Sequence, residues 1–173
     1  MNRPRIAILD DSQGVAFAAA DWSGLKARAE IVRFAGPFAG EEDAARQLAT
    51  FDIVVPMRER TPFTGSLIRK LPRLKLIAQT GPRTMSLDIA AATQQGVLVC
   101  NTGGGPSTPA TAELAFALIM ACCRDVPRAD HQMKAGGWQE GLPLGTVLEG
   151  KRLGIVGLGK LGARVGRYGK AFG

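Results

Sequence analysis

Three glycines near residue 160 have the spacing of a phosphate-binding turn. Gly157, Gly159 and Gly162 form a G-x-G-x-x-G pattern that follows a short apolar run, residues 153–156, and precedes a stretch with helical periodicity. In a strand–turn–helix unit of this kind the first glycine permits the tight bend, the second lets a pyrophosphate approach the backbone, and the third lets the helix pack against the strand. The pattern predicts the opening of a dinucleotide-binding domain over residues 151–173.

The residues that follow the second glycine supply the anion-binding groups. Backbone N–H groups of Lys160 and Leu161 are expected to point at the pyrophosphate, and the helix dipole adds a favourable field. The alternative is a glycine-rich turn without a ligand. An acidic residue that would select NAD by holding the ribose hydroxyl is expected roughly 20 residues further on, past Gly173, so the sequence leaves NAD and NADP open as cofactors.

Composition and charge indicate a soluble globular protein. Apolar residues make up 46% of the 173 residues, charged residues 21%, and the net charge is +7. The cations are scattered, which favours a solvated surface over a nucleic-acid interface. No apolar stretch approaches the roughly 20 residues of a membrane span, and no metal-ligand cluster is predicted. Cys100, Cys122 and Cys123 form no C-x-x-C pair, which fits a reducing cytoplasm.

The elements that must position these groups alternate between strands and helices over the first hundred residues. The pattern predicts an α/β fold with a flavodoxin-like parallel sheet in the order 2-1-3-4-5. Ligands of such sheets bind beyond the carboxyl ends of the strands, so the loops after Leu9, Val55, Gln79 and Cys100 are candidates. The predicted strands are residues 5–9, 30–34, 52–56, 74–79 and 97–100; the predicted helices are residues 20–29, 41–50, 64–70 with Thr64 as N-cap, and 86–95 with Ser86 as N-cap.

The composition of the sequence changes after Cys100. Residues 101–106 indicate a hinge, Thr108 is expected to cap a helix that is apolar nearly all round, and residues 138–149 form an irregular arm. We therefore expect three parts: the first segment of a flavodoxin-like domain over 1–101, a hinge, apolar helix and dimerisation arm over 102–150, and the incomplete start of a Rossmann domain over 151–173.

The hinge, the apolar helix and the glycine motif arrive in an order that resembles a known family. The stretches GVLVCNT, PATAELAFALIMACCRDVPRADHQMKAGGWQ and GKRLGIVGLGKLGARV resemble the D-2-hydroxyacid dehydrogenases, which include D-3-phosphoglycerate, formate and glyoxylate-type dehydrogenases. The similarity covers essentially the whole chain. It implies an oxidoreductase that transfers hydride between NAD or NADP and a small 2-hydroxy or 2-oxo acid, and that forms a homodimer.

The resemblance also implies substrate-binding residues. Arg58 matches a position where relatives often place a substrate-contacting arginine, although it could belong to a surface cluster. Gly81 opens the loop in which relatives hold the substrate carboxylate; there Arg83 replaces a second glycine and could add a bidentate charge, or could be a structural arginine. Ser107 stands where relatives usually have Asn, and Thr111 matches a position near the nicotinamide, although both could simply begin a helix.

The resemblance places the catalytic Arg, Glu and His of the family downstream of the glycine motif, so we expect no catalytic residue in this chain. The only histidine, His131, is expected to be a surface or interface residue. The chain alone is then expected to be inactive. The alternative function is a non-catalytic fragment that acts as an assembly or binding module through its apolar helix and arm.

Overall fold

The structure is a computed structural model that describes residues 3–82, 84–103 and 108–173. The chain divides into two compact units, Met1–Gly105 and Pro106–Gly173. The first unit contains five strands: β1 (Arg5–Ile8), β2 (Glu30–Arg33), β3 (Ile53–Val55), β4 (Leu76–Gln79) and β5 (Leu98–Asn101). Its helices are α1 (Ser23–Lys26), α2 (Glu41–Leu48), α3 (Gly65–Arg69) and α4 (Ile89–Gln94).

The five strands form one parallel sheet in the order β2-β1-β3-β4-β5. This order confirms the flavodoxin-like topology predicted from the sequence. The order reverses between β1 and β3, because β2 lies on one side of β1 and all later strands lie on the other. Such a switch point leaves a crevice at the carboxyl ends of the two central strands.

The core forms because each element turns an apolar face toward its neighbours. In α2 the acidic residues occupy the first turn, where their negative charges interact favourably with the helix dipole. Ala44, Ala45 and Leu48 of the same helix are buried. The strands contribute residues buried between the helical layers, as expected of a parallel sheet covered on both faces. Side chains almost without solvent exposure include Ala7, Leu9, Leu48, Val54, Phe63, Leu67, Ile68 and Ile77.

The helix caps show one confirmed and one wrong prediction. The Thr64 side chain accepts a hydrogen bond from the N–H of Leu67, so it caps α3 as predicted. Ser86 does not cap α4. Its carbonyl accepts from the N–H of Phe63, which holds this stretch against residue 63, and the helix begins only after Asp88, whose Oδ1 accepts from the N–H of Ala91 at 2.9 Å.

The second unit contains α5 (Thr108–Cys123), α6 (Val126–Lys134) and α7 (Lys160–Ala171). Thr108, predicted to cap α5, is its first residue. Phe116 of α5 is buried and its ring packs against the rings of Tyr168 and Phe172, with centroids 5.9 and 4.9 Å away. Leu114 and Leu118 on the same helix are more than half exposed.

The segment 153–156 departs from the sequence prediction. Its apolar run predicts a strand, but it forms no strand ladder with any described segment. A strand exists only where a neighbour accepts and donates its ladder hydrogen bonds. Leu153 and Ile155 instead pack their side chains against α7, at Gly169 and Gly166.

Candidate functional site

The first group of candidate residues lies at the carboxyl edge of the sheet. Beyond the ends of β3 and β4 the two chains continue side by side, since Met57 forms a parallel bridge with Thr80 and the N–H of Thr80 donates to the carbonyl of Pro56 at 3.1 Å. The N–H of Thr102, which follows β5, donates to the carbonyl of Gln79 at 3.1 Å. Three loops are therefore joined at the edge where parallel sheets bind ligands.

Arg58 occupies the centre of this edge in a left-handed backbone conformation. Its φ is +57°, and its N–H donates to Oγ1 of Thr80 at 3.1 Å. A non-glycine residue in this conformation costs about 1–2 kcal/mol, and such strain collects at binding and active sites. The guanidinium is exposed and makes no hydrogen bond or ion pair with any described residue, so its charge is available to an anion.

Gly81 lies directly beneath Arg58. Its φ is +99°, and a Cβ there would lie 3.3 Å from Cδ of Arg58, so the arginine's alkyl chain crosses the glycine. The N–H of Gly81 donates to Oγ1 of Thr102 at 2.7 Å. That N–H therefore already has an acceptor within the protein. The contribution of Gly81 to this site is that it has no side chain, which leaves room for Arg58.

The structure brings Arg58 and Gly81 together, but it does not place every predicted substrate residue. Arg83 and Ser107 lie outside the described residues. Thr111 is an exposed residue in the first turns of α5, in the second unit. The substrate roles of Arg83 and Ser107 and the cofactor role of Thr111 stay predictions.

The glycine turn in the second unit has the shape predicted for it. Gly157 has φ +88°, which a side chain would strain. Gly162 faces the carbonyl oxygen of Gly157 so closely that a Cβ would overlap it. A Cβ on Gly159, by contrast, would meet no heavy atom within 4 Å. Backbone geometry therefore requires Gly157 and packing requires Gly162, whereas Gly159 leaves open space over the turn.

The start of α7 offers uncapped donors beside that open space. Gly159 is the N-cap of α7 and supplies no capping side chain. The N–H of Ala163 donates to the carbonyl of Gly159 at 2.9 Å and is the first amide inside the helical ladder. The N–H groups of Lys160 and Leu161 precede it, as the geometry of a helix N-terminus requires. This arrangement fits a pyrophosphate, which needs donors and backbone access together.

Two further glycines fix how α7 packs. A Cβ on Gly166 would lie 3.2 Å from Cδ1 of Ile155, and a Cβ on Gly169 would lie 2.7 Å from Cδ2 of Leu153. Gly162, Gly166 and Gly169 follow i, i+4, i+7 spacing and so form one face of the helix. The sequence prediction included only the first of them, although the spacing of the other two was a readable signal.

A polar cluster joins α2 to α3 near the carboxyl edge of the five-stranded sheet. Glu41 accepts hydrogen bonds from the hydroxyls of Thr64 and Ser66, both at 2.7 Å, and its Oε1 lies 3.0 Å from Nζ of Lys70. These partners, Thr64 foremost, lower the pKa of Glu41 from 4.5 to about 2. The carboxylate therefore stays ionised and binds the two helices together at neutral pH.

The described residues contain neither a metal cluster nor a membrane span. Within residues 3–82, 84–103 and 108–173, no group of three or more His, Cys, Asp or Glu side chains is arranged to hold a metal ion. No helix in that part of the chain is long and apolar enough to cross a membrane.

The fold and the turn together define an α/β protein with a flavodoxin-like sheet and the opening of a nucleotide-binding domain. Residues 116–173 match the family model described as D-isomer specific 2-hydroxyacid dehydrogenase, NAD binding domain. A phosphoglycerate oxidoreductase of Vibrio cholerae o395 superposes with a TM-score of 0.87 at 39% identity, over 98% of this chain and 54% of that chain.

Sequence relatives point the same way. D-3-phosphoglycerate dehydrogenase of Archaeoglobus fulgidus is 37% identical over 130 residues, which are 75% of this chain and 24% of that protein. Glyoxylate reductase of Aeropyrum pernix is 43% identical over 114 residues, or 62% of this chain and 34% of that protein. This chain belongs to the D-isomer specific 2-hydroxyacid dehydrogenase family. Its matched segments span between a quarter and about a third of the length of these curated relatives.

The family match confirms the resemblance predicted from the hinge, helix and glycine motif. It also confirms the predicted cofactor class, NAD or NADP, because the matched domain is an NAD binding domain. The match begins at Phe116 inside α5, upstream of residue 151, and the predicted start of a Rossmann-type domain at residues 151–173 stays a prediction.

Proposed function

We propose that this chain is part of an NAD(P)-dependent oxidoreductase that transfers hydride between the nicotinamide and C2 of a small 2-hydroxy or 2-oxo acid. The observation that carries the proposal is the glycine turn. Gly157 and Gly162 are required by backbone geometry and packing, whereas Gly159 leaves space that no described atom uses. A turn of this shape, in a chain of this family, is suited to a dinucleotide pyrophosphate.

The chain's own residues supply binding and orientation. Lys160 and Leu161 offer backbone donors to the pyrophosphate, and the positive end of α7 favours its charge. Thr111 is proposed to pack near the nicotinamide. The bound cofactor supplies the hydride, and the protein decides where the acceptor carbon lies relative to it.

Arg58 is proposed to bind the carboxylate of the 2-oxo acid. Its guanidinium is exposed and without a partner among the described residues, and its backbone is held by Thr80. A planar fork of N–H donors matches a carboxylate bidentately. Gly81 permits this placement. Arg83 and Ser107 are proposed as further substrate ligands on the strength of the family resemblance alone.

The chain contains one histidine, His131, and it lies exposed on α6. Within the described part of the second unit, no side-chain hydrogen bond or ion pair links it to the glycine turn. We therefore propose that the 173-residue chain binds its ligands without turning them over, because it lacks a histidine suited to proton transfer. Its three free cysteines are consistent with a reducing compartment such as the cytoplasm.

A second candidate function rests on exposed apolar side chains in the second unit. Leu114 and Leu118 of α5 and Trp138, Leu144 and Val147 of the arm are each more than half exposed. Several large apolar side chains exposed on one unit are typical of interfaces. We propose a homodimer through this unit. The alternative function is a non-catalytic assembly or binding module that uses the same surface.

The two candidates differ in a direct binding experiment. The purified chain is titrated with NADH and NADPH, and nicotinamide fluorescence reports binding. The complete protein is assayed for NAD(P)H oxidation with glyoxylate and hydroxypyruvate. Saturable binding together with turnover by the complete protein supports the oxidoreductase. Self-association in sedimentation without nucleotide binding or turnover supports the assembly module and refutes the oxidoreductase.

A further inference from the structure

Asp10 has an unusual place at the carboxyl end of β1. It is only 5% exposed, and its backbone is left-handed with φ +57°. Among the described non-glycine residues only Asp10, Arg58 and Asp125 have positive φ. Two of these three therefore follow adjacent central strands, β1 and β3, on either side of the point where the strand order reverses.

Asp10 makes two contacts with the loop that carries Arg58. Its Oδ2 accepts a buried hydrogen bond from the hydroxyl of Thr61 at 2.7 Å. Its carbonyl oxygen accepts from Nη1 of Arg60 at 2.8 Å. Both contacts depend on the left-handed turn, because that turn directs the side chain and the carbonyl of one residue toward the same neighbouring loop.

The loop 57–62 is thus fastened at both sides of Arg58. On the β4 side, Thr80 accepts from the N–H of Arg58. On the β1 side, Asp10 holds Arg60 and Thr61. A left-handed arginine persists only where the surrounding structure over-determines it. Removal of one anchor is expected to let the loop relax toward ordinary backbone angles and to move the guanidinium.

We propose that Asp10 is a positioning residue for substrate binding. It acts through Thr61, and it fixes the loop 57–62 so that Arg58 presents its guanidinium to the carboxylate of a 2-oxo acid. The identity of that anion rests on the function proposed above. The hydrogen bond between Asp10 and Thr61 itself is a property of the fold.

Four variants separate the hydrogen bond from the other properties of these residues. Asp10→Gly keeps the left-handed turn but removes the acceptor, and Thr61→Val keeps the shape but removes the donor. Asp10→Asn retains an acceptor and Thr61→Ser retains the hydroxyl donor, so these two variants test whether the hydrogen bond alone restores the parent behaviour. Asp52→Asn is the matched control: Asp52 is similarly buried, but it lies at the amino edge of the sheet, where it accepts from the N–H of Arg5.

The kinetic readout is kcat and KM of the complete protein for glyoxylate and for NADH. We expect Asp10→Gly and Thr61→Val each to raise KM for glyoxylate about tenfold, the scale of a weakened charged hydrogen bond. KM for NADH should stay unchanged. For Asp10→Asn, Thr61→Ser and the Asp52→Asn control, KM for glyoxylate should stay within about twofold of the parent value. The double variant Asp10→Gly/Thr61→Val should be no worse than either single variant, because both remove one interaction.

A second readout does not depend on turnover. Amide hydrogen exchange at Arg58 should be faster in Thr61→Val than in the parent, because a loop released from Asp10 opens the hydrogen bond from the Arg58 N–H to Oγ1 of Thr80 more often. Thr61→Ser should restore the parent rate. Unchanged exchange at Arg58, or equal increases of KM for glyoxylate and NADH, would overturn the positioning role. If the parent itself reduces no 2-oxo acid, the proposed function fails, and the exchange rates still decide whether Asp10 and Thr61 hold Arg58.

Discussion

Gly162 in the first turns of α7 lies against the carbonyl oxygen of Gly157, so a methyl group at residue 162 would overlap the backbone of the turn. The helix and the segment before it can approach this closely only where residue 162 has no side chain. Gly159, three residues earlier, has no such neighbour. The same motif thus contains one glycine required by packing and one that leaves space for a ligand.

This difference predicts opposite effects for two alanine substitutions. Gly162→Ala should lower the melting temperature of the chain, because the overlap forces the helix away from the turn. Gly159→Ala should leave the melting temperature nearly unchanged but weaken NADH binding at least about tenfold, because the methyl group occupies the space of the pyrophosphate. Thermal melts and fluorescence titrations of both variants measure the two effects. Equal NADH affinity in the parent and Gly159→Ala would contradict the proposed pyrophosphate position.

Arg58 is predicted to bind the substrate carboxylate. Arg58→Ala should lower kcat/KM of the complete protein for glyoxylate by about ten- to a hundredfold, the cost of a charged hydrogen-bond partner. Arg58→Lys should recover only part of that loss, because a point charge does not reproduce two parallel hydrogen bonds. Melting temperatures of the variants serve as the control for folding. Activity within about twofold of the parent for both variants would make Arg58 a surface residue.

Arg83, which lies outside the described residues, carries the same prediction on the basis of the family resemblance. Arg83→Ala and Arg83→Lys should each reduce kcat/KM, by about ten- to a hundredfold for alanine. Steady-state kinetics of the complete protein with a 2-oxo acid measure the loss. A solvated or structural arginine would instead leave both variants within about twofold of the parent.

Gly81 is predicted to be required for the placement of Arg58. Gly81→Ala introduces a methyl group 3.3 Å from Cδ of Arg58 at a residue with φ +99°. It should therefore raise KM for the 2-oxo acid as well as lower stability. Gly96→Ala is the matched control, since Gly96 also has positive φ, +68°, but a methyl group there would have no heavy atom within 4 Å. We expect Gly96→Ala to lower stability by about 1 kcal/mol without any change in KM. Equal kinetics for the two variants would contradict the role of Gly81.

Stability in acid should report the cluster around Glu41. Hydrogen bonds from Thr64 and Ser66 lower its pKa in the folded protein to about 2. A lowered folded-state pKa stabilises the protein above the unfolded-state pKa, and the contribution is lost as the pH falls through the folded-state value. The difference in melting temperature between the parent and Glu41→Gln should therefore be full at pH 7 and shrink from pH 4.5 toward about pH 2.

Ser66→Ala tests the cause of that pH dependence. It removes one of the two hydroxyl donors to Glu41 and leaves the Thr64 cap of α3 in place. In this background the substitution Glu41→Gln should lower the melting temperature at pH 7 by less than it does in the parent. A difference between the parent and Glu41→Gln that stays constant from pH 7 to about pH 2 would show that Glu41 contributes through packing alone.

The sequence by itself determined the order of the elements and the nature of the glycine turn. Apolar periodicity and caps such as Thr64 act over a few residues, so they are readable without the fold, and right-handed crossovers then restrict the sheet order. The same local signals were wrong for Ser86, because a hydrogen bond from the distant Phe63 holds residue 86 outside the helix. They were also wrong for the strand at residues 153–156, because strand formation requires a pairing partner.

The site at the carboxyl edge of the sheet was decided only by tertiary structure. Arg58 could be named from the sequence, but its left-handed backbone and its passage over Gly81 depend on the alignment of β3 with β4. Asp10 and Thr61 are 51 residues apart and were not predicted to meet. Their contact exists because the sheet places the ends of β1 and β3 side by side. Loop-to-loop geometry of this kind depends on long-range pairing, and short-range sequence patterns do not encode the distance between two loops.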